Sequence, residues 1–381
     1  MNMKQKRTLK NRIVEYADGN DLTSAIPTAD SFRSRVLPEE TDEHVQQASV
    51  IIINYNGGAD LIACLAALSV QNLLREVVIV DNASVDGSLE TAMESFPEHT
   101  FIRSVVNLGF GGGANLGAQS ASGQVLVFLN PDTIVAAGCI DELVVRLTEK
   151  AGVAGPLIIT EGTTEPDYGA TIDLMGLPRG ITDDRIPLFI QGCCLAASRE
   201  CFDSVGGFDE DYFLFVEDTE FAWQALRRGF EVQVVKTATA HHRGGASAIG
   251  GYLRQGVIET TSMRILLRER NTTAMLLACA PAQWFPMLLV TTFVRAFAFA
   301  TLLVVNRRLK DVGRLIDGYF WNMKRLPVTM HRRFRPGTDS ESSKRAWRRV
   351  IHGFFIWSVI RNRSAIRLVN VSGRPSKSSF N

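Results

Sequence analysis

Six short polar stretches carry side chains able to bind or deprotonate a substrate: Tyr55-Asn56, Asp81-Asn82, Asn107 to Asn115, Asn130-Pro131-Asp132, Glu217-Asp218 and His241-His242. The first four each follow an apolar run. The run Val125 to Leu129 ends at Pro131, which cannot donate to a β-ladder, so a strand must stop there and Asp132 falls at its carboxyl end. In open α/β sheets that edge is where ligands bind. An Asp closing an ordinary turn is the simpler reading of this one stretch, but a series of polar residues along one rim predicts a site for a polar small molecule.

The elements that must position these groups alternate. SVIII, EVVIV, TFIRSVV and QVLVFL read as strands, and Leu61, Leu65 and Leu68 recur at helical spacing between the first two. Strands alternating with helices predict an α/β fold with a mainly parallel sheet covered on both faces. Asp86 or Ser84 is expected to cap a helix. The segment Phe208 to Phe230 reads as an aromatic loop entering a helix near Glu217-Asp218 and ending at Arg227-Arg228-Gly229. Acids in the first turn and bases in the last suit the helix dipole, so Glu217, Asp218 and Glu220 also have a purely structural reading.

Gly109-Phe110-Gly111-Gly112-Gly113-Ala114 fits the dinucleotide fingerprint G-x-G-x-x-A, with Asp132 at a suitable distance for a ribose acid. That gives a rival function, a nicotinamide-dependent oxidoreductase. Two complete βα units precede the match, whereas the fingerprint ordinarily opens its domain.

Charge divides the chain. From Gly251 onward 23 Lys/Arg stand against 6 Asp/Glu, and before it 18 against 34, although the whole chain is only +1. The basic start, residues 1–47, holds no apolar run of signal-peptide type, so the chain is expected to start in the cytosol. The six cysteines show no metal spacing and read as reduced thiols. Asn271 to Val294 carries no charge, and apolar character resumes after Arg295. Interrupted by Pro281, Gln283, Pro286 and Arg295, it predicts a broken pair of helices in the membrane interface, with a spanning segment as the alternative. The basic clusters HRRFR (331–335) and KRAWRR (344–349), beside the apolar GFFIWSVI, are expected to meet anionic lipid and not nucleic acid.

The motifs VIIINYNG, VIVDNASVDGS, NLGFGGGANLG, VLVFLNPDT, FDEDYFLFVEDTEFAWQALRRGF and HRGGAS, in this order over about residues 48–250, resemble the family 2 glycosyltransferases, in particular their rhamnosyltransferase-like branch. The resemblance implies a GT-A fold for nucleotide-diphospho-sugar transfer. It places Asp81 on the nucleobase or ribose, Tyr55, Asn56 and Asn82 along the nucleotide, and Asn107, Gly109 and Asn115 beside nucleotide and sugar. The metal motif, usually Asp-x-Asp, has Asn130 in its first position, leaving the charge to Asp132, which with His242 (or His241 instead) would hold Mg²⁺ or Mn²⁺. Gln191 and Gly192 would border the acceptor and sugar pocket, and of the Glu217-Asp218 pair Glu217 would line the donor site and Asp218 would be the general base of an inverting displacement.

These readings give a flexible extension at 1–47, a GT-A domain at 48–250, a helical basic and apolar membrane-associating region at 251–370 and a disordered tail at 371–381. The expected function is metal-dependent transfer of a sugar, rhamnose by resemblance, from a UDP or dTDP donor to a glycolipid or cell-envelope polysaccharide at the cytoplasmic face of the membrane. A catalytically silent membrane adaptor with the same fold is the second rival; the Asp132 and Asp218 pair speaks against it.

Overall fold

The computed structural model describes residues 47–350, with short gaps at 164, 182–184, 244–249 and 255–256, and two outlying strands at 13–16 and 366–368. In chain order the main elements are β1 (Ile13–Tyr16), β2 (Ala48–Asn54), α1 (Gly58–Leu68), β3 (Leu74–Asn82), α2 (Ser88–Ser95), β4 (Thr100–Ser104), α3 (Gly109–Ser120), β5 (Val125–Leu129), β6 (Thr133–Val135), α4 (Cys139–Glu149) and β7 (Gly152–Thr160). They continue with β8 (Cys194–Ser198), α5 (Arg199–Val205), α6 (Glu217–Arg227), β9 (Glu231–His242), α7 (Ser262–Cys279), α8 (Phe285–Val305), α9 (Leu309–Lys324), α10 (Leu326–Arg333) and α11 (Ser340–Arg348). The tail 371–381 and the motif GFFIWSVI lie outside the described residues. Of the extension 1–47, the structure describes Gln47 and Ile13–Tyr16, which pair as an edge strand with β4.

Nine strands form one sheet in the order β1-β4-β3-β2-β5-β8-β7-β9-β6. The run from β1 to β5 is parallel throughout. β8 lies antiparallel between β5 and β7, and β9 returns parallel to β7. Both faces are covered, which is why β2 and β5 read as unbroken apolar runs: every residue of each is buried. Successive side chains point to opposite faces, so Ile51 and Ile53 enter one core and Val50 and Ile52 the other. Leu61, Cys64, Leu65 and Leu68 form the buried stripe of α1 against the second core.

Two features follow directly from this order. β2 has β3 on one side and β5 on the other, so the order of connection across the sheet reverses at β2, and because these strands are parallel the carboxyl ends of β2, β3, β4 and β5 share one open rim. The antiparallel β8 enters at that same rim, because Cys194 pairs with Leu129. The loop Gln191 to Cys193 therefore reaches the end of β5.

The uncharged segment Asn271 to Val294 divides differently from its expected membrane role. Ala274, Met275, Leu276 and Cys279 of α7 are buried in the first core with Trp223 of α6, so this half is protein interior. The chain breaks at Ala280-Pro281, and of the two halves it is α8 that presents an apolar outer face. The cluster 331–335 is likewise turned inward: Arg332 pairs with Glu220 at 2.7 Å, and Arg333 donates to the carbonyls of Leu277 and Ala280. Its guanidiniums satisfy buried groups of the protein instead of facing lipid.

Candidate active site

The rim loops are fastened to one another before any ligand arrives. Asn54 is fully buried; its amide donates to Asp81 Oδ1 at 2.9 Å and to the hydroxyls of Ser84 and Ser88, while its oxygen accepts from Gly57 N. Asp81 Oδ2 accepts from Ser84 N, so both carboxylate oxygens are engaged, and the residue is 1% exposed. Asn56, with φ of 54°, accepts from Val85 N and donates its own N–H to Ser84 Oγ. Asp86 accepts from Gly58 N and Ser88 N, tying the first residue of α1 to that of α2. Tyr55 is left facing outward.

Further along, Asn107 accepts from Gly109 N and Asn82 donates to Gly109 O. Gly109 has φ of 74°, and an added Cβ would lie 2.0 Å from the Phe213 carbonyl oxygen. That carbonyl accepts from Phe110 N at 2.7 Å. The start of α3 is thus filled by the protein's own backbone, and the place where a dinucleotide fingerprint would seat a pyrophosphate is occupied. Asn115 clasps the same loop from the side, donating to Phe208 O and Glu210 Oε1 and accepting from Phe208 N. Asn115 and Asp81 act here as fasteners, and neither offers a free polar atom to the rim.

Asp132 behaves otherwise. It is 5% exposed, and its Oδ1 accepts no hydrogen bond although buried. His242 Nε2 lies 3.4 Å from that oxygen, whereas His241 is exposed on the other face of β9. His242 also reaches the Cys193 thiol; burial works against its charged form, but the Asp132 carboxylate and the Cys193 thiol beside it outweigh that and push it up to about 10. The half-buried Asn130 stands before Asp132. Among the described residues no three His, Cys, Asp or Glu side chains gather that could hold a metal alone. An orphaned carboxylate oxygen, with an imidazole that would give up its proton to join it, fits a divalent ion that shares its other positions with phosphate oxygens.

Asp218 sits at the start of α6, half-buried, with Oδ2 accepting from Gly192 N at 3.0 Å and Oδ1 from Thr219 N at 2.6 Å. Gly192 has no side chain to hold this carboxylate off: an added Cβ would meet Asp218 Oδ2 at 3.2 Å. Burial raises the Asp218 pKa against the lowering bonds from Thr219 and Gly192, so desolvation prevails over the helix terminus. Glu217 is 6% exposed with an unpartnered Oε2, and burial reinforced by the Asp218 charge pushes it up to about 8. Gln191 donates to Asp167 at 2.8 Å beside this loop.

The turn that delivers Glu217-Asp218 is strained. Phe213, Phe215 and Val216 have φ of 62°, 72° and 76°, a left-handed conformation that costs a β-branched residue most. Asn271 of α7 holds it, one amide donating to the carbonyls of Tyr212, Leu214 and Phe215 at 2.9, 3.0 and 2.8 Å. Asn54, Cys193, Asp167 and Asn271 were not among the sequence candidates. Asn54 opens the NYN motif and was within reach of that reading; Asn271 lies in a helix far along the chain and gives no local signal.

The mainly parallel sheet with its polar rim and flanking helices has the GT-A architecture of nucleotide-sugar transferases. Residues 49–206 match the family described as Glycosyl transferase family 2. Over 236 residues it is 27% identical to the N-acetylglucosaminyl-diphospho-decaprenol L-rhamnosyltransferase of Mycobacterium tuberculosis, covering 51% of this chain and 75% of that protein. Over 208 residues it is 26% identical to a low-salt glycan biosynthesis hexosyltransferase of Haloferax volcanii, covering 51% of this chain and 66% of the relative. The crystal structure of GalNAc-T7 with UDP, GalNAc and Mn²⁺ shares the fold at a TM-score of 0.52 and 18% identity, over 63% of this chain and 49% of that one.

Proposed function

We propose that the protein transfers a sugar, rhamnose by analogy with its relatives, from a UDP or dTDP donor to a lipid-linked or cell-envelope polysaccharide acceptor, with inversion at the anomeric carbon. The observation that carries this reading is a pair of adjacent residues. Gly192 N–H touches Asp218, and the Cys193 thiol touches His242, the partner of Asp132. A base and a metal-type carboxylate thus flank one short loop at the mouth of the sheet.

Asp218 is suited to take the acceptor proton. Its raised pKa makes it a stronger base than an ordinary carboxylate, and the bonds to Gly192 and Thr219 fix where its oxygens point. As the acceptor oxygen attacks the anomeric carbon, the bond to the diphosphate breaks on the opposite face, which inverts the configuration. Asp132 and His242 would hold Mg²⁺ or Mn²⁺, which neutralises the charge developing on the leaving diphosphate. Glu217, protonated below about pH 8, keeps a second negative charge away from Asp218. Tyr55, exposed at the rim, would stack on the nucleobase.

The reading of membrane association is supported by α8. Residues 282–305 are long and apolar enough to cross a bilayer, with mean hydropathy 2.2. Arg295, the middle residue of α8, is nevertheless 1% exposed and pairs with Glu269, also donating to Thr273 Oγ1 at 2.9 Å. On the other side Leu289, Val290, Phe293 and Phe297 are 63–74% exposed. A helix locked to protein along one stripe and apolar along the other suits an in-plane seat at the bilayer surface.

Nucleoside-diphosphate release from a panel of UDP-, dTDP- and GDP-sugars, with Mg²⁺ or Mn²⁺ and a membrane-lipid extract, tests the reading. Release from one donor, lost in Asp132→Ala, in Asp218→Asn and with EDTA, is expected. Release from no donor would overturn it.

A further inference from the structure

We infer that Arg270 and Asn271 of α7 are positioning residues for the base. Together they clamp the turn Phe213–Val216 in the shape that delivers Asp218, so the helical region completes the catalytic site. This rests on the transferase reading of Asp218 and goes beyond it, since both residues lie outside the matched stretch 49–206.

Asn271 is 0% exposed at the head of an otherwise apolar stripe, Ala274, Met275, Ala278 and Cys279, which recur at helical spacing along α7. Packing alone would favour an apolar residue there, because a buried amide is stable only when its hydrogen bonds are made. Its oxygen accepts from Arg270 Nε at 2.9 Å. A guanidinium only donates, so this contact fixes the orientation of the amide and turns its nitrogen toward the loop. There the nitrogen meets the carbonyls of Tyr212, Leu214 and Phe215, three acceptors around one amino group. Arg270 adds two bonds of its own, donating to the carbonyls of Asp211 and Tyr212 at 3.0 Å each. Its guanidinium lies 4.2 Å from the centroid of the Trp321 ring, and Asn322 donates to its carbonyl, so α9 supports the clamp from behind.

The carbonyl that the pair does not take, that of Phe213, accepts from Phe110 N at the start of α3. Every carbonyl from Asp211 to Phe215 is therefore bonded to a neighbouring element, and the turn is stitched between the rim and the helices. It needs that restraint. Phe213, Phe215 and Val216 are all left-handed, a conformation that persists only where the surroundings forbid the ordinary ones. Val216 O accepts from Glu220 N and so begins α6, which makes the shape of the turn set the direction of that helix. Asp218 is the second residue of α6, and its bond to Gly192 N is made from this side of the site. Misplacing a reacting group by about 1 Å costs about 10²-fold in rate.

The test uses the full chain in detergent micelles, with UDP and dTDP as probes of the donor side. In Asn271→Ala, nucleoside-diphosphate release per UDP- or dTDP-binding site should fall about 10²-fold at saturating donor, while donor KM and the affinity for the nucleoside diphosphate hold. Arg270→Ala should lose about tenfold. Arg270→Lys should lose less, because an ammonium keeps the contact with Trp321 but cannot serve Asn271 and two carbonyls at once. Hydrogen exchange, read without turnover, should rise about tenfold or more over 212–220 and 191–193 in Asn271→Ala and stay unchanged in α1. A role in stability alone would lower the number of nucleoside-diphosphate sites in step with release, leaving turnover per site unchanged; that result overturns the inference. Unchanged exchange over 212–220 overturns it too, as does raised exchange with full turnover per site. A wild-type protein that releases no nucleoside diphosphate sinks the transferase reading instead, and the exchange measurement still decides whether the pair holds the turn.

Discussion

The sheet rim and the C-terminal helices solve opposite problems with opposite placements of charge. Along the rim, apolar strands form the interior and polar side chains sit at the open edge, fastened as Asn54 fastens Asp81, Ser84 and Ser88. In the helical region charge goes inside. Arg325 pairs with Asp209, Arg332 with Glu220 and Arg295 with Glu269, while Leu289, Phe293 and Phe297 face outward. The acidic first part and the basic last part of the chain meet across this seam, since Asp209 and Glu220 come from the one and Arg325 and Arg332 from the other. Near neutrality of the whole chain thus reflects interlocking parts. Exposed apolar faces of this kind mark interaction surfaces, and membrane seating is the proposed use of this one.

The comparison can be broken first at its catalytic edge. Asp218→Asn keeps the side-chain shape and one of the two accepted backbone bonds but removes the base, and turnover should fall about 10²- to 10⁴-fold with an unchanged circular dichroism spectrum. Retained turnover would show the rim alone to be sufficient. Next comes the seam: Arg332→Met leaves Glu220, fully buried, without its 2.7 Å partner. Loss of a buried partner costs about 3–5 kcal/mol, read as a lowered denaturation midpoint. A midpoint within error of the wild type would mean that the seam does not join the parts.

A smaller effect is expected at Gly109→Ala, where the new methyl meets the Phe213 carbonyl at a positive φ. The strain of about 1–2 kcal/mol for that backbone conformation is joined by displacement of the Phe213–Val216 turn. Lower thermal stability and a lower kcat together check it; normal values for both would contradict the close approach. On the outer face, Phe293→Asp with Phe297→Asp should weaken binding to anionic vesicles while leaving the melting temperature near that of the wild type, because these rings touch no core. Unchanged vesicle binding would remove α8 from the membrane contact.

The smallest effect concerns Glu217. Its folded-state pKa of about 8 lies above the ordinary carboxylate range of the unfolded chain, so between those limits the native state binds the extra proton. Stability contributed by the neutral form is therefore full at acid pH and lost as pH rises toward and through about 8. Glu217→Gln should flatten that slope in unfolding measured from pH 5 to 9. An identical slope would show Glu217 to be ionised throughout.

Much of the rim was legible because it is local. The end of β5 at Leu129, set by Pro131, and the start of α6 at Glu217, set by its first-turn acids, both follow from neighbouring residues. The choice between His241 and His242 was not legible, since alternation along β9 puts them on opposite faces and only the pairing of Thr133 with His242 turns the latter toward Asp132. The basic cluster 331–335 was misread for a related reason. Glu220 lies 112 residues before Arg332, and no local pattern marks the two as partners.

Sequence by itself therefore determined the alternation of strands and helices, the polar ends of the strands and the family motifs, because each depends on the chemistry of adjacent residues and the period of the backbone. Only the tertiary structure decided which of those polar groups fasten loops and which stay open. Asp81 and Asp132 are both strand-end carboxylates, yet Asp81 is saturated by Asn54 and Ser84 while Asp132 keeps a buried oxygen unbonded. A hydrogen bond depends on what the fold brings within about 3 Å, and that distance is not written in the chain.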